Sequence, residues 1–378
     1  MGQDLLVQDV GSTGPRLLFV EPYLTASHAA FAQGLMRYVP ARWTLLGLPG
    51  RHWRWRMRGA AAFLADQAAE VLTRPWEALV CSDMLGLAEL RGLVPSLATV
   101  PALVVFHENQ LAYPAQGQAD QGMRERDLYL AFSNLTTAQA AKRVVFNSNF
   151  HRDQFLGAAR DLLGRLPDMR PSGLASSIAA KSSALPMPID PSEAGGLTRE
   201  PREGPLRILW NHRWAQDKAP ERFFEALEAL AAQGLEFQVA VLGPAPAKPP
   251  AVFAAARKAL AKHIVQWGHL SDRKEYWKRL FWADVVVSTA LQEYFGLSVA
   301  EAAWAGCRPL VPMALVYPEL YPERFCYPPG ELTPALMELA RRPEPVRRQD
   351  HRPLAQGFTW QSQAPAWQSL IQQTIKEA

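Results

Sequence analysis

Two glutamates flank a sharp turn in the C-terminal half of the chain. Glu293 and Glu301 are separated by seven residues, with Gly296 between them where a loop enters a predicted helix. At such a helix start the backbone N–H groups of Gly296, Leu297 and Ser298 face an approaching anion, and the helix dipole favours a phosphate there. Glu293, in the loop, is free to bind a hydroxyl-rich group. A structural alternative is that Ser298 and Glu301 form an S-x-x-E capping box.

A second element of the same half carries two cations. The stretch from Trp210 to Pro220 connects a predicted strand to a predicted helix and contains Arg213 and Lys218. A guanidinium fork and a point cation together neutralise about two charges, as a diphosphate requires. The alternative is that Lys218 forms a surface ion pair with Asp217 while Arg213 stacks on a tryptophan. Because both elements follow strands of one domain, their combination favours a diphosphate site.

A polar run follows an apolar strand in the N-terminal half. His107, Glu108, Asn109 and Gln110 come directly after the run at 101–106. A lone histidine in such a place is more often a hydrogen-bonded structural residue. Four consecutive polar side chains have no packing reason at a buried strand end, however, and this favours a functional role.

The segment 51–58 interleaves four arginines with two tryptophans. This pattern suits a surface that follows a nucleic-acid backbone and stacks its bases. The alternative is an amphipathic helix start whose tryptophans are core and whose arginines are solvated. The residues concerned are Arg51, Trp53, Arg54, Trp55, Arg56 and Arg58.

The scaffold that positions these residues is predicted from short apolar runs that alternate with helical periodicity. This is the βα alternation of parallel sheets, whose ligands bind at the carboxyl ends of the strands. We therefore expect an α/β protein with two Rossmann-like, doubly wound parallel-sheet domains that face a cleft. The predicted strands lie at 16–20, 43–46, 78–81, 101–106 and 143–146, and at 206–210, 237–242, 264–266, 283–287 and 309–311.

The domain limits follow from where the alternation fades. Between about 157 and 205 the sequence becomes rich in Ala, Ser, Pro and Gly, and breaker clusters place a linker at roughly 190–205. The prediction is an N-terminal domain at 1–190 and a C-terminal domain at 206–355. Residues 356–378 are predicted to end the chain as an amphipathic helix with Leu370, Ile371 and Ile375 on one face.

Composition excludes several classes of protein. The 378 residues are 48% hydrophobic and 20% charged, as in ordinary globular chains, and the net charge of +4 is too small to imply wholesale nucleic-acid or membrane binding. Three cysteines without a CxxC pair fit a reducing compartment. The sequence has no P-loop, GxGxxG, HExxH, GxSxG or DxD motif and no apolar run long enough to span a bilayer. We expect a soluble cytoplasmic protein.

Taken together, the motifs carry a family resemblance. The Glu-x7-Glu pattern with Phe295-Gly296-Leu297, preceded by the two cations, resembles the retaining GT-B glycosyltransferases of family four. Further motifs are similar to those of the tRNA-queuosine mannosyltransferase family, and the likeness runs from about residue 16 to 320. These motifs lie at 21–28, 48–56, 106–111, 145–148, 210–214 and 317–320. Thr25-Ala26 and Gln292 depart from the family pattern, which has Gly-Gly and His at these places.

The resemblance implies a donor site in the C-terminal domain that needs no metal and no cofactor. Arg213 and Lys218 would hold the donor diphosphate, and Glu301 would bind the nucleotide ribose. Glu293 would meet the donor sugar and its phosphate, and His107 would lie beside the reacting sugar. The backbone at Gly296, Leu297 and Ser298 completes the donor set implied by the resemblance.

The resemblance also implies the acceptor. The expected reaction transfers a hexose onto the cyclopentenediol of queuosine in tRNA, with tRNA-Asp as the substrate. The expected hexose is mannose, and its donor is GDP-mannose. Two alternatives remain open: the same chemistry on a lipid or polysaccharide, and a non-catalytic RNA-binding protein. The expected partners are tRNA and a nucleotide sugar, without a membrane or an obligate protein partner, and the last helix is expected to cross back onto the N-terminal domain. The acceptor residues implied are Ser27, His28, Arg51, Trp53, Arg54, Arg56, Arg58, Glu108, Asn109 and Gln110.

Overall fold

The computed structural model describes residues 5–112, 121–200 and 202–376, with the side chains of the helix at 121–140 described from residue 128 onward. The chain divides into two compact units. The first comprises residues 1–188 together with 363–378, and the second comprises residues 189–362.

The first unit contains a seven-stranded sheet in the order β1-β3-β2-β4-β5-β6-β7. β1 is antiparallel to β3, and all other neighbours are parallel. β4 and β5 are buried along their whole length, as strands covered on both faces must be. The strands are β1 (Leu6–Val10), β2 (Arg16–Leu24), β3 (Arg42–Pro49), β4 (Ala78–Ser82), β5 (Ala102–Phe106), β6 (Arg143–Phe146) and β7 (Ser182–Ala184).

Within the described residues of this unit, seven α-helices connect these strands. Some begin on clear local signals; Ser148, for instance, caps the sixth helix by accepting a hydrogen bond from the His151 N–H at 3.0 Å. The helices are α1 (Ala26–Tyr38), α2 (Trp53–Gln67), α3 (Ala69–Leu72), α4 (Leu87–Leu93), α5 (Gln121–Ala140), α6 (Asn149–Gly164) and α7 (Leu174–Ala180).

The second unit contains a six-stranded, fully parallel sheet in the order β10-β9-β8-β11-β12-β13. Its strands are β8 (Leu206–Asn211), β9 (Phe237–Leu242), β10 (Ile264–Gly268), β11 (Val285–Val287), β12 (Arg308–Pro312) and β13 (Cys326–Tyr327). Its helices are α8 (Pro220–Ala232), α9 (Val252–Ala259), α10 (Arg273–Trp282), α11 (Leu297–Trp304), α12 (Tyr317–Leu320), α13 (Leu332–Arg341), α14 (Pro343–Arg348) and α15 (Pro353–Gln356). α16 (Trp360–Lys376) closes the described chain.

Each sheet has one point at which the strand order reverses. In the first unit the reversal lies between β2 and β4, and in the second it lies between β8 and β11. Ligands of open α/β sheets bind beside the carboxyl ends of the strands at such a point. The expectation of two Rossmann-like parallel-sheet domains is therefore confirmed. The two strand-order reversals are the candidate ligand sites.

The predicted linker at 190–205 is wrong, because this segment is packed onto the second unit. Arg202 donates from Nε to Asp284 Oδ1 at 2.8 Å, and Arg199 donates to the backbone at Ala283 at 2.5 Å. Asp284 is completely buried and also accepts from Arg347 at 3.0 Å. Three arginines around one buried carboxylate tie the segment and α14 to the sheet.

α16 belongs to the first unit from residue 363 onward. Trp367 is buried and packs edge-on against Phe31 of α1, with ring centroids 5.1 Å apart. Leu370 and Ile371 are buried on the same helix. Among the described helices, none combines the length and the apolar character that crossing a bilayer requires.

Candidate active site

Lys218 is a buried cation in the loop that follows β8. It ends a 3-10 turn directly before α8, and Ala219 follows with a left-handed φ of 41°. Its Nζ donates to the Gln292 carbonyl oxygen at 3.1 Å and to Glu293 Oε2 at 3.2 Å, and it lies 3.4 Å from Asp217 Oδ2. The surface-pair alternative is therefore wrong for Lys218, since the ammonium is buried and held by two carboxylates.

Arg213 is the exposed cation of the same loop. Its side chain is 61% exposed, and its guanidinium lies 3.5 Å from Asp217 Oδ2. Asp217 thus stands between Arg213 and Lys218 and holds both cations on one side of the sheet. This leaves the guanidinium fork accessible to a ligand at the carboxyl end of β8.

Glu293 is a carboxylate that stays ionised although most of its side chain is covered. Its Oε1 accepts from the Tyr294 N–H at 3.2 Å, and Oε2 accepts from Lys218. Burial alone would favour the neutral acid, but the Lys218 charge outweighs this, so the pKa of Glu293 lies below its ordinary value. The Gln292 side chain donates to the Tyr294 hydroxyl at 3.2 Å, and its backbone carbonyl holds Lys218.

The start of α11 presents backbone donors at the strand-order reversal. Gly296 is the N-cap, with a φ of 85°, and a Cβ there would lie 3.2 Å from the Tyr317 ring. The first N–H groups of a helix have no partner within it, and no side chain of the described residues caps α11. The capping-box alternative is wrong, because the cap is Gly296 and the Ser298 hydroxyl bonds to His212 Nδ1 at 3.2 Å instead.

His212 links β8 to α11 as a neutral imidazole. Its Nε2 lies 3.2 Å from the Val287 carbonyl oxygen, so this nitrogen carries the proton and Nδ1 accepts from the Ser298 hydroxyl. Burial and then the Lys218 charge lower the pKa of His212 to about 4. The ring therefore fixes the helix start without adding charge to it.

Glu301 lies in a network that the sequence did not indicate. Its carboxylate accepts from the Tyr276 hydroxyl at 2.7 Å and from Arg273 at 2.8 Å. Tyr276 and Arg273 both come from α10, which begins at Asp272 as a side-chain cap. The only sequence signal was their spacing of three residues, which places both on one helix face.

In the first unit, His107 follows β5 and His28 lies in the first turn of α1 after β2, and their rings are in contact with an interplanar angle of 50°. Their ring centroids are 4.4 Å apart, and His28 Nδ1 lies 3.1 Å from Glu21 Oε2. Burial lowers the pKa of His28, but the charge of Glu21 and its hydrogen bond raise it by more, so the pKa of His28 lies above its ordinary value. Burial and the neighbouring His28 charge lower the pKa of His107, which is therefore neutral. Its buried Nε2 has no hydrogen-bond partner among the described residues.

Asp83 supports this pair from β4. Its Oδ1 accepts from the His107 N–H at 2.9 Å, and its backbone carbonyl accepts from Asn134 at 3.1 Å. Burial raises the pKa of Asp83 to about 7. The strand-order reversal thus carries two carboxyl groups and two histidines within one buried group.

Glu21, His28 and His107 are also the one group in the described part of the chain that could ligate a metal ion, with one ligand atom each within 4.8 Å of the others. Two histidines and a carboxylate suit zinc. Glu21, however, already accepts from the Ser82 hydroxyl and the Tyr23 N–H, both at 2.9 Å. We interpret the group as an ion pair beside a neutral histidine.

The remaining acceptor candidates differ in role. Asn109 Oδ1 accepts from the N–H groups of Leu111 and Ala112 at 3.0 and 3.3 Å, so this side chain shapes its own turn. The Gln110 N–H donates to Asn134 at 3.2 Å. Ser27 is exposed, and Glu108 is half-buried.

The arginine and tryptophan run forms the start of α2, and its two tryptophans differ: Trp53 is half-buried and packs against the buried cluster of Met57, Met84 and Leu130, whereas Trp55 is exposed. Trp55 is 63% exposed, and Gly59 allows its ring to lie along the helix, since a Cβ there would come within 2.8 Å of the ring. Arg58 lies 4.5 Å from the ring centroid of Tyr129, which is also exposed. Arg54 lies 4.4 Å from the Trp53 ring centroid. The surface is a mixture of cations and accessible aromatic faces.

The fold and the second unit's site together define a class of protein. A GT-B glycosyltransferase has two Rossmann-like units. Its second unit carries cations, a helix start and acidic residues at the strand-order reversal, as this chain does. Solved structures agree on the fold. Sucrose-phosphate synthase from Thermosynechococcus elongatus superposes with a TM-score of 0.67 at 13% identity, covering 97% of this chain and 100% of that one. Trehalose-6-phosphate synthase gives 0.67 at 14% identity, covering 96% and 99%.

Sequence comparison narrows the class to a family. The sequence model for the tRNA-queuosine alpha-mannosyltransferase N-terminal region matches residues 16–189. The tRNA-queuosine alpha-mannosyltransferase of Drosophila melanogaster is 32% identical over 348 residues, which span 89% of each chain. The chain belongs to the tRNA-queuosine alpha-mannosyltransferase family. A GDP-mannose-dependent alpha-(1-6)-phosphatidylinositol dimannoside mannosyltransferase of Mycobacterium tuberculosis is 26% identical, over 91% of this chain and 85% of that one.

Proposed function

We propose that the protein transfers mannose from GDP-mannose to the cyclopentenediol of queuosine in tRNA, with tRNA-Asp as its substrate. The part of the proposal that concerns the sugar donor rests on one observation. The buried Lys218 ammonium is held between Asp217 and Glu293 beside the uncapped start of α11. The acceptor half rests on the family relationship.

In this proposal the donor diphosphate lies between Arg213, Lys218 and the α11 start. Charge develops on the diphosphate as the bond between the anomeric carbon and the phosphate oxygen breaks. Fixed cations and helix N–H groups stabilise that charge without having to reorganise. No metal and no cofactor has a role in this scheme.

The acceptor hydroxyl oxygen forms the new bond on the face from which the diphosphate leaves, so the configuration is retained. Its proton passes to an oxygen of the departing diphosphate, which balances the step. Neutral His107, with its unbonded Nε2, suits a hydrogen bond to a sugar or acceptor hydroxyl. In this scheme Glu293 orients the hydroxyls of the donor sugar.

On the acceptor side, we propose that tRNA binds at the start of α2. Exposed Trp55 and Tyr129 offer faces on which unpaired bases stack, while Arg54 and Arg58 lie beside them. The phosphatidylinositol acceptor in the name of the mycobacterial relative keeps a lipid acceptor as the second candidate.

The test is direct. The protein is incubated with queuosine-containing tRNA and each of several sugar nucleotides, and the digested nucleosides are examined by mass spectrometry. A hexose increment on queuosine with GDP-mannose is the expected result. Transfer only to a lipid extract would establish the second candidate, and no increment with any donor would overturn the tRNA proposal.

A further inference from the structure

Both oxygens of the Glu301 carboxylate are bound by side chains of α10. Tyr276 donates its hydroxyl to Oε2 at 2.7 Å, and Arg273 donates to Oε1 at 2.8 Å. These are short, charge-assisted hydrogen bonds, and they come from two directions. A carboxylate held in this way has one orientation rather than several.

The direction of the bond from Tyr276 follows from Asn211 at the end of β8. Its amide donates to the Tyr276 hydroxyl oxygen at 3.1 Å and to the Ser298 carbonyl at 2.9 Å. Because both amide hydrogens are used, Tyr276 accepts from Asn211 and must donate its own hydrogen to Glu301. Asn211 Oδ1 is buried and has no hydrogen-bond partner in the described part of the chain.

Arg273 is shared between two carboxylates. Besides Glu301, its guanidinium bonds to Glu193 at 2.7 Å, and its Cζ lies 4.7 Å from the Tyr276 ring centroid. Burial lowers and Glu301 raises the pKa of Arg273, and the charge effect is the larger, so the guanidinium stays protonated. An ionised carboxylate offers about four acceptor sites, so two protein donors leave Glu301 about two for a ligand diol.

We infer that Tyr276 and Arg273 are positioning residues for the nucleotide ribose, acting through the orientation of Glu301. The inference rests on the proposed donor role of this site. Tyr276 does not touch the ligand in this scheme. It holds the Glu301 carboxylate so that the remaining acceptor sites meet the two ribose hydroxyls.

The experiment compares nucleotides with and without those hydroxyls. Affinities of wild type and Tyr276→Phe are measured by calorimetry for GDP and for 2′,3′-dideoxy-GDP. We expect Tyr276→Phe to bind GDP about 2- to 10-fold more weakly, as for loss of one ordinary hydrogen bond. The same variant should bind the dideoxy nucleotide as the wild type does. Equal weakening for both nucleotides would mean a general structural defect and would overturn the inference.

A charge-matched pair of variants tests the second residue. Arg273→Gln and Lys278→Gln each remove one cation from α10, but Lys278 pairs only with the exposed Glu275 among the described contacts, at 2.5 Å. Arg273→Gln should raise the KM for the donor with little change in kcat, and Lys278→Gln should change neither. Identical effects of the two substitutions would assign the result to net charge and contradict the inference.

The proposed function can fail separately. If the wild type binds GDP but transfers no mannose to queuosine, the tRNA proposal falls while the dideoxy comparison still decides the role of Tyr276. If wild type and Tyr276→Phe bind GDP equally and transfer proceeds, the inference alone is overturned. If neither GDP nor UDP nor ADP binds the wild type, both fall together.

Discussion

The two cations of the donor loop differ in their surroundings, and this difference matters for any substitution. Arg213 is largely exposed, so its removal leaves no buried group without a partner. Lys218 is buried between two carboxylates, so its removal leaves Glu293 without its ion-pair partner, while Asp217 keeps only the exposed Arg213 at 3.5 Å. Breaking a buried ion pair on one side is costly for stability.

We therefore expect Arg213→Ala and Lys218→Ala to share one effect and to differ in another. Both should lower kcat/KM by roughly 100-fold or more, as for removal of electrostatic stabilisers of the transition state. Only Lys218→Ala should lower the melting temperature. Steady-state kinetics and calorimetry check this, and near-wild-type turnover in both variants would place the diphosphate elsewhere.

Glu301→Gln is the second residue-scale prediction. The amide keeps the shape of the side chain but loses the negative charge that Arg273 and the ribose hydroxyls require. We expect weaker binding of GDP, by about tenfold, with the fold intact. Binding of GDP as tight as in the wild type would show that Glu301 serves Arg273 alone.

At this scale Arg213, Lys218 and Glu293 could be proposed from the sequence because each lies in a loop after a strand, where ligands of parallel sheets gather, and Glu301 because it completes the Glu-x7-Glu pattern. It did not predict Tyr276 or Arg273. Both lie within a helix, carry no motif, and become relevant only because α10 packs beside α11. Residues whose role depends on the packing of two helices leave no local pattern.

At the scale of elements, His212 joins the end of β8 to the start of α11, and its buried neutral ring gives stability a pH dependence. The folded pKa of about 4 lies below the unfolded value of about 6.5. As the pH falls from 6.5 towards 4, the unfolded state takes up a proton that the folded state does not. The contribution of His212 is therefore complete above pH 6.5 and is lost on acidification.

The substitution His212→Gln should remove this part of the pH dependence. The wild type should lose roughly 3 kcal/mol between pH 7 and pH 4 that the variant does not lose, on the basis of about 1.4 kcal/mol per pKa unit. Urea unfolding at several pH values measures both curves. Parallel curves for the two proteins would contradict a neutral His212 in the folded state.

The strand predictions were correct where a strand is buried on both faces, because such a strand has a continuous apolar run. All ten predicted runs fall on strands. Three strands were missed. β1 is an antiparallel edge strand with four of its five residues exposed, β7 is a run of three half-buried small residues, and β13 has only two residues. The linker was misplaced because breaker residues at 190–205 resembled a flexible connection, while Arg199 and Arg202 anchor that segment through contacts distant in sequence.

For the molecule as a whole, a net charge of +4 is too small to bind tRNA by itself. Binding must come from where the charge lies, and α2 concentrates it beside exposed aromatic rings. Basic residues also occur elsewhere on the first unit. Arg160, Arg165 and Arg170, on and after α6, are exposed and lie in no comparable aromatic surface among the described residues. The chain thus contains its own charge-matched control.

The final prediction compares these two sets of arginines. Replacing Arg54, Arg56 and Arg58 with Gln should weaken tRNA binding, because each phosphate contact releases counterions and adds about 0.7 to 0.9 to the salt slope. The slope of log affinity against log salt should flatten by up to roughly two to three, while GDP binding stays unchanged. The control triple at 160, 165 and 170 removes the same charge and should alter the slope far less. If the two triple variants change the salt slope equally, tRNA binding depends only on net charge. If the α2 triple variant folds normally and its salt slope is unchanged, tRNA binds elsewhere.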